Sequence, residues 1–130
     1  MYNYLTYLYI AKDIILGMFK IFRTKKFDKE IAKKFSNGEQ KQVEHFEQRQ
    51  LVNNPYVGDP LGFDFFREKR IGGGKRVYFL IYNDLKAVLM VGQSTKKTQQ
   101  ETIDSIKSKL TEYYEIIKET IRQHGEYDHV

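Results

Sequence analysis

Residues 65–92 read FFREKRIGGGKRVYFLIYNDLKAVLMVG. Three runs of strand length, Phe65 to Ile71, Arg76 to Tyr82 and Lys86 to Val91, are separated by two turn signals, Gly72-Gly73-Gly74 and Asn83-Asp84. Connections this short join antiparallel neighbours, so the stretch predicts a three-stranded meander. The middle run, VYFLIY, is apolar at successive positions and therefore on both faces, as a central strand covered from both sides would be.

Upstream, Phe19, Ile21 and Arg23 alternate with Lys20, Phe22 and Thr24, which predicts a strand. Asp28 is placed to cap a following helix with apolar positions at Ile31 and Phe35. Ser36-Asn37-Gly38 interrupts the pattern, helical spacing resumes with Val43, Phe46 and Leu51, and Asn53-Asn54-Pro55 ends it. Residues 28 to 52 thus read as a helical hairpin, followed by a loop containing Gly58, Asp59, Pro60 and Gly62. Downstream, Thr98 and Glu101 have capping-box spacing, and Ile103, Ile106, Leu110, Tyr113, Ile117 and Ile121 mark one face of a long final helix. The fold class is α+β: N-terminal strand, helical hairpin, antiparallel meander and long C-terminal helix.

A chain of 130 residues accommodates one domain with a real core. Met18 opens the strand pattern, which gives a domain over 18–130 and an N-terminal extension over 1–17, MYNYLTYLYIAKDIILG. The tyrosines at 2, 4, 7 and 9 also suit an amphipathic helix docked on the domain, and both readings stand. Lys12 and Asp13 interrupt this segment well short of the roughly 20 apolar residues a membrane span needs. It has neither the basic start nor the small-residue cleavage site of a signal peptide, and with no cysteine in the chain the expected compartment is the reducing cytoplasm. His45, His124 and His129 are too scattered for a metal site, and the glycine triplet lacks Walker spacing and a following helix, so no metal and no cofactor are expected. Lys and Arg number 22 against 17 Asp and Glu, a formal charge of +5 that favours polyanionic or acidic partners.

The order strand, helical hairpin, NPYVGDPLG loop and FFREKRIGGGKRVYFLIYNDLKAVLMVGQSTKKTQQ resembles the RelE/ParE superfamily of type II toxins, particularly its archaeal members, over about residues 18 to 105. The resemblance implies a toxin of a toxin–antitoxin pair, neutralised by an antitoxin that would present an acidic or amphipathic helix. In the nuclease branch it implies mRNA cleavage on the ribosome without a metal. That branch uses clustered Lys and Arg, which match Arg67, Lys69 and Arg76 as catalytic residues, with Arg70, Lys75, Lys96 and Lys97 as RNA-binding cations. Lys69 would be the base, its pKa lowered by neighbouring cations, and Arg76 would hold the phosphate through its guanidinium fork. A glycine turn one residue longer than in many relatives makes Arg70 the alternative to Lys69.

The nuclease branch commonly adds a C-terminal Tyr or His, and residues 98 to 105 contain neither. Three functions therefore stay in view: a ribosome-dependent mRNA endonuclease, a toxin-fold protein that acts on another target or only binds an antitoxin, and a general RNA-binding domain. The last has no RNP-type aromatics or GxxG loop behind it. The same strand cations also read as an ordinary solvated face or a guarded sheet edge.

Overall fold

The computed structural model describes residues 5–8 and 18–128. Its elements are β1 (Leu5–Leu8), β2 (Lys20–Thr24), α1 (Lys25–Lys34), α2 (Asn37–His45), β3 (Asp59–Pro60), β4 (Phe66–Ile71), β5 (Lys75–Tyr82), β6 (Ala87–Thr95), α3 (Gln99–Lys107) and α4 (Leu110–Asp128). A π-helical turn, Phe46–Leu51, continues α2. The strands form one sheet in the order β1-β2-β6-β5-β4-β3. Strands β2 and β6 pair in parallel, and every other neighbouring pair is antiparallel. The mixed α+β class and the meander read from residues 65–92 are both present.

Side chains alternate across the sheet and so build two cores. On one face Ile21, Val77, Phe79, Ile81, Val88 and Met90 pack with Phe27 and Ile31 from α1 and Phe35 just after it, and with Val43, Phe46 and Leu51 from α2 and its π turn and Val52 just after that. On the other, Phe22, Phe66, Tyr78, Leu80, Leu89 and Val91 pack under Ile103, Ile106 and Ile117 of α3 and α4. Strand β5 is buried from Arg76 to Tyr82, as its unbroken apolar run requires. Each large side chain buried this way contributes about 1.5–3 kcal/mol of transfer free energy.

Local chemistry differs from the sequence reading in five places. Thr24, not Asp28, caps α1: its hydroxyl accepts the Phe27 amide at 3.0 Å, and Asp28 sits in the first turn. The hairpin's second helix starts with a full capping box, the Ser36 hydroxyl accepting the Glu39 amide and the Glu39 carboxylate accepting the Ser36 amide. Thr98 does not cap α3, because its hydroxyl accepts the Thr95 amide at 3.3 Å instead. The final helix is two helices separated at Ser108 and Lys109, although its apolar stripe runs through both. Strand β6 also runs past Val91 to Thr95, through an irregularity where Tyr78 pairs with Gly92 and Phe79 with Met90.

Strand β1 lies within the segment read as an extension and pairs with β2, Leu5 opposite Thr24. At residues 5–8, Tyr7 among them, a strand stands in place of the docked helix considered for this segment; the rest of the segment falls outside the described residues, as does His129.

The π turn places Phe46, Glu47 and Leu51 all inward. Glu47 is fully buried. Arg23 answers it with two hydrogen bonds, Nε and Nη2 each donating at 2.8 Å, and donates a third from Nη1 to Asp28 at 2.7 Å. Burial opposes the Arg23 charge, yet Glu47 and Asp28 outweigh it and hold the pKa above its ordinary value. Burial pushes the Glu47 carboxyl up, and Arg23 pulls it back. The pair joins β2 to the end of the helical hairpin. Replacing Arg23 by Met strands a buried carboxylate, and urea denaturation is expected to show a loss of about 3–5 kcal/mol. Adding Glu47→Leu should recover most of that loss; a double variant no more stable than the single one would show that the pair's geometry, not its charge, matters.

Candidate functional site

The β4–β5 register decides which cations can act together. Ile71 lies opposite Lys75, Arg70 opposite Arg76, Lys69 opposite Val77, Glu68 opposite Tyr78 and Arg67 opposite Phe79. Arg67, Lys69 and Lys75 therefore share the face covered by α1 and α2. Glu68, Arg70 and Arg76 share the other, with Tyr78 and Ser94. The three residues matched as catalytic are not assembled: the sheet separates Arg67 and Lys69 from Arg76.

Arg67 is a fastener. Its Nε donates to the Asp64 carbonyl at 2.8 Å and its Nη2 to the Asp64 carboxylate at 2.5 Å. Its Nη1 reaches the carbonyls of Val57 and Gly58 at 3.5 and 3.4 Å, and the guanidinium lies 5.5 Å from the Tyr56 ring centre. One buried guanidinium thus ties the 56–64 loop to β4. Lys75 has a similar task on the helical hairpin, donating to the Glu39 carboxylate at 2.8 Å and to the Lys34 carbonyl while lying over the Phe35 ring.

Arg76 is also buried. Its Nε stands 3.6 Å from the Glu68 carboxylate, beyond hydrogen-bond range, and its Nη1 donates weakly to the Gly74 carbonyl at 3.3 Å. Glu68 receives a 2.7 Å bond from the Gln99 side chain at the start of α3. Beside it the Tyr78 hydroxyl and Ser94 share a hydrogen bond at 2.7 Å. Burial pushes the Tyr78 phenol up to about 12, with Ser94 opposing and Glu68 adding to the shift. This phenol is a neutral hydrogen-bonding group at physiological pH, not a proton donor poised near 7.

Arg70, Lys96 and Lys97 are exposed. Arg70 falls in a row with Arg76 and Ser94 across three strands, and the two lysines follow Ser94 closely along the chain. This end of the sheet can attract an anion through its exposed cations, while Arg76 itself answers a carboxylate inside the protein. Among the described residues no group of three or more His, Cys, Asp or Glu side chains is arranged to hold a metal ion, and no helix is long and apolar enough to cross a membrane.

Glu68 and Gln99 went unread in the sequence. The signal for Glu68 lay in FREKR: a three-residue loop between Ile71 and Lys75 sets the lone acid on the face of Arg76. A third arrangement, also unread, is a shallow groove between α2 with its π turn and β4, bordered by Gln42, His45, Phe46, Arg49, Gln50, Lys69, Arg70 and Ile71. Lys69 lies there with Nζ 5.4 Å from the centre of the Phe46 ring.

Protein-family models, curated proteins and solved structures were compared with the chain, and none matches it.

Two outcomes are expected from this geometry. Arg76→Ala removes the cation facing the buried Glu68, so it should cost about 2–4 kcal/mol of stability in denaturant melts, with partial recovery on adding Glu68→Gln. An unchanged melt would mean that Arg76 is a surface residue in solution. The second outcome concerns Glu39, whose carboxyl the Lys75 hydrogen bond holds below the ordinary carboxylate range. Because its folded pKa is depressed, its stabilising contribution is present above the ordinary carboxylate pKa and is lost as pH falls through the lowered value. Glu39→Gln should therefore flatten the acid limb of the stability profile while shifting the neutral region down, read as melting temperature between pH 2.5 and 7.

Proposed function

We propose that the chain is a toxin-type protein of the RelE/ParE class that acts through binding and not through mRNA cleavage, with an acidic or amphipathic-helix antitoxin as its partner. The observation that carries the second half of this reading is the placement of the cations: Arg67 and Lys69 lie on one face, Arg76 on the other, and the Arg67 guanidinium is taken up by the 56–64 loop. Metal-independent cleavage needs a base, a phosphate clamp and an acid around one phosphodiester, and residues on opposite faces of a covered sheet do not converge on one. The class itself is supported by the order of elements, strand, helical hairpin, antiparallel meander and C-terminal helices, together with the net charge of +5.

The second reading, the ribosome-dependent mRNA endonuclease, is favoured by the alignment of Arg70 with Arg76 and by the exposed Lys96 and Lys97 beyond them. In that version Arg70 replaces Lys69 in the site.

Induced expression with growth and translation as readouts, followed by mapping of mRNA ends in a reconstituted translation system, separates the two. Expected is growth inhibition relieved by coexpression of the neighbouring gene's product, with intact mRNA. Ribosome-dependent cuts that vanish in Arg70→Ala would transfer the conclusion to the endonuclease. Normal growth together with no copurifying partner would remove the toxin class altogether.

A further inference from the structure

Strand β4 is covered along only part of its outer edge. The Leu61 amide bonds the Phe66 carbonyl at 2.9 Å, which shows that Phe66, and with it Glu68 and Arg70, turn their backbone groups outward. Strand β3 pairs with β4 at Arg67 and Glu68 and goes no further. At the other end of the edge the Gly72 amide donates to the Gln42 side chain at 3.0 Å. Between these two closures the N–H and C=O of Arg70 face outward without a strand partner among the described residues. The gap opens on the groove bordered by Arg49, Lys69 and His45, whose described border contains no carboxylate.

We propose that this edge is the docking site of an acidic polypeptide segment in extended form, which adds to β4 by main-chain hydrogen bonds at Arg70 and places its carboxylates against Arg49 and Lys69. An extended peptide satisfies both backbone groups of Arg70, because it brings an acceptor and a donor in register. A nucleic acid phosphate could take the N–H but would meet the C=O as a repulsive dipole. The groove's one aromatic ring, Phe46, is buried and already lies beneath Lys69, so it offers no free platform for stacking a base. Charge complementarity and backbone pairing therefore point to the same occupant. The inference gives the acidic partner of the proposed function a place to dock, and to that extent rests on that reading; binding of a free peptide does not depend on toxicity, so the two can fail separately.

The test uses the full chain and a fluorescent seven-residue peptide alternating Glu with Val, its affinity measured by anisotropy at two salt concentrations. Binding should weaken with salt. Arg49→Gln with Lys69→Gln should lower affinity about tenfold. The backbone contribution is read by comparing Arg70→Ala with Arg70→Pro, since both remove the guanidinium and only proline removes the outward N–H. That amide is not part of the β4–β5 ladder, and an edge position tolerates proline. Arg70→Pro should bind about fivefold more weakly than Arg70→Ala, with circular dichroism and thermal melts showing both folded. Should Arg70→Pro fail to fold, slowing of amide exchange at Arg70 on peptide addition to the unsubstituted protein becomes the criterion, and an amide left unprotected by the peptide overturns the proposal. Equal affinities of two folded variants, no peptide binding at all, or binding of a single-stranded RNA oligonucleotide that the peptide cannot displace would each overturn it as well.

Discussion

The length of the turn between β4 and β5 is the constraint on which the arrangement rests. With Ile71 opposite Lys75, the three glycines are the whole connection. Side chains alternate strictly along a strand, so a slip of one residue would transfer every side chain of one strand to the other face. The turn is held against that slip from outside. Gly73 has a φ of +80°, and a Cβ there would lie 2.4 Å from the Glu39 carboxylate at the start of α2. The same carboxylate binds Lys75, the first residue of β5. Turn conformation, helix cap and strand register thus hold one another.

Once the register is set, the basic residues of the hairpin are no longer interchangeable. A sheet covered on both faces admits a charge only where a partner waits for it. Arg67 meets the 56–64 loop, Lys75 meets Glu39, Arg76 faces Glu68, and Arg23 meets Glu47. Four cations that count toward the net charge are thus engaged internally. The charge that water sees includes Lys25, Lys26, Lys29, Lys33 and Lys34 of α1, Arg49 beside the groove, and Arg70, Lys96 and Lys97. A polyanion approaching the protein meets these first.

This division explains which parts of the structure were legible. Strand and helix placement followed from apolar spacing, which is a property of neighbours in sequence and survives without knowledge of the fold. The two-sided burial of VYFLIY was readable for the same reason. The candidate site was not, because matching residues to a family pattern counts positions along each strand separately, whereas the meeting of Lys69 and Arg76 depends on parity across the turn. Helix caps failed for a related reason: Asp28 and Thr98 have suitable side chains, but each had a better partner in three dimensions, Arg23 for the one and the Thr95 amide for the other. Glu47 was hidden more deeply. Nothing in HFEQRQL announces a π turn, and only that turn brings the acid inward beside Phe46 and Leu51.

The open edge at Arg70 is specified by the same means as the closed parts. Pairing of β3 with β4 ends where the chain turns away at Gly58, which has a φ of +77° and approaches so closely that a Cβ would stand 2.3 Å from the Glu68 carbonyl oxygen. Only glycine permits that approach. Arg67 then pins the departing chain by its carbonyls at Val57 and Gly58, so β3 cannot lengthen toward Arg70 without breaking those contacts. On the far side Gln42 takes the Gly72 amide from a helix whose own start is fixed by the Ser36–Glu39 capping box. Fraying would leave an edge indefinite, with no fixed boundary at either end. Here both boundaries are set by buried or hydrogen-bonded groups, and cations stand beside the gap, the arrangement that keeps an exposed edge from pairing with another copy of itself while leaving it attractive to an acidic strand.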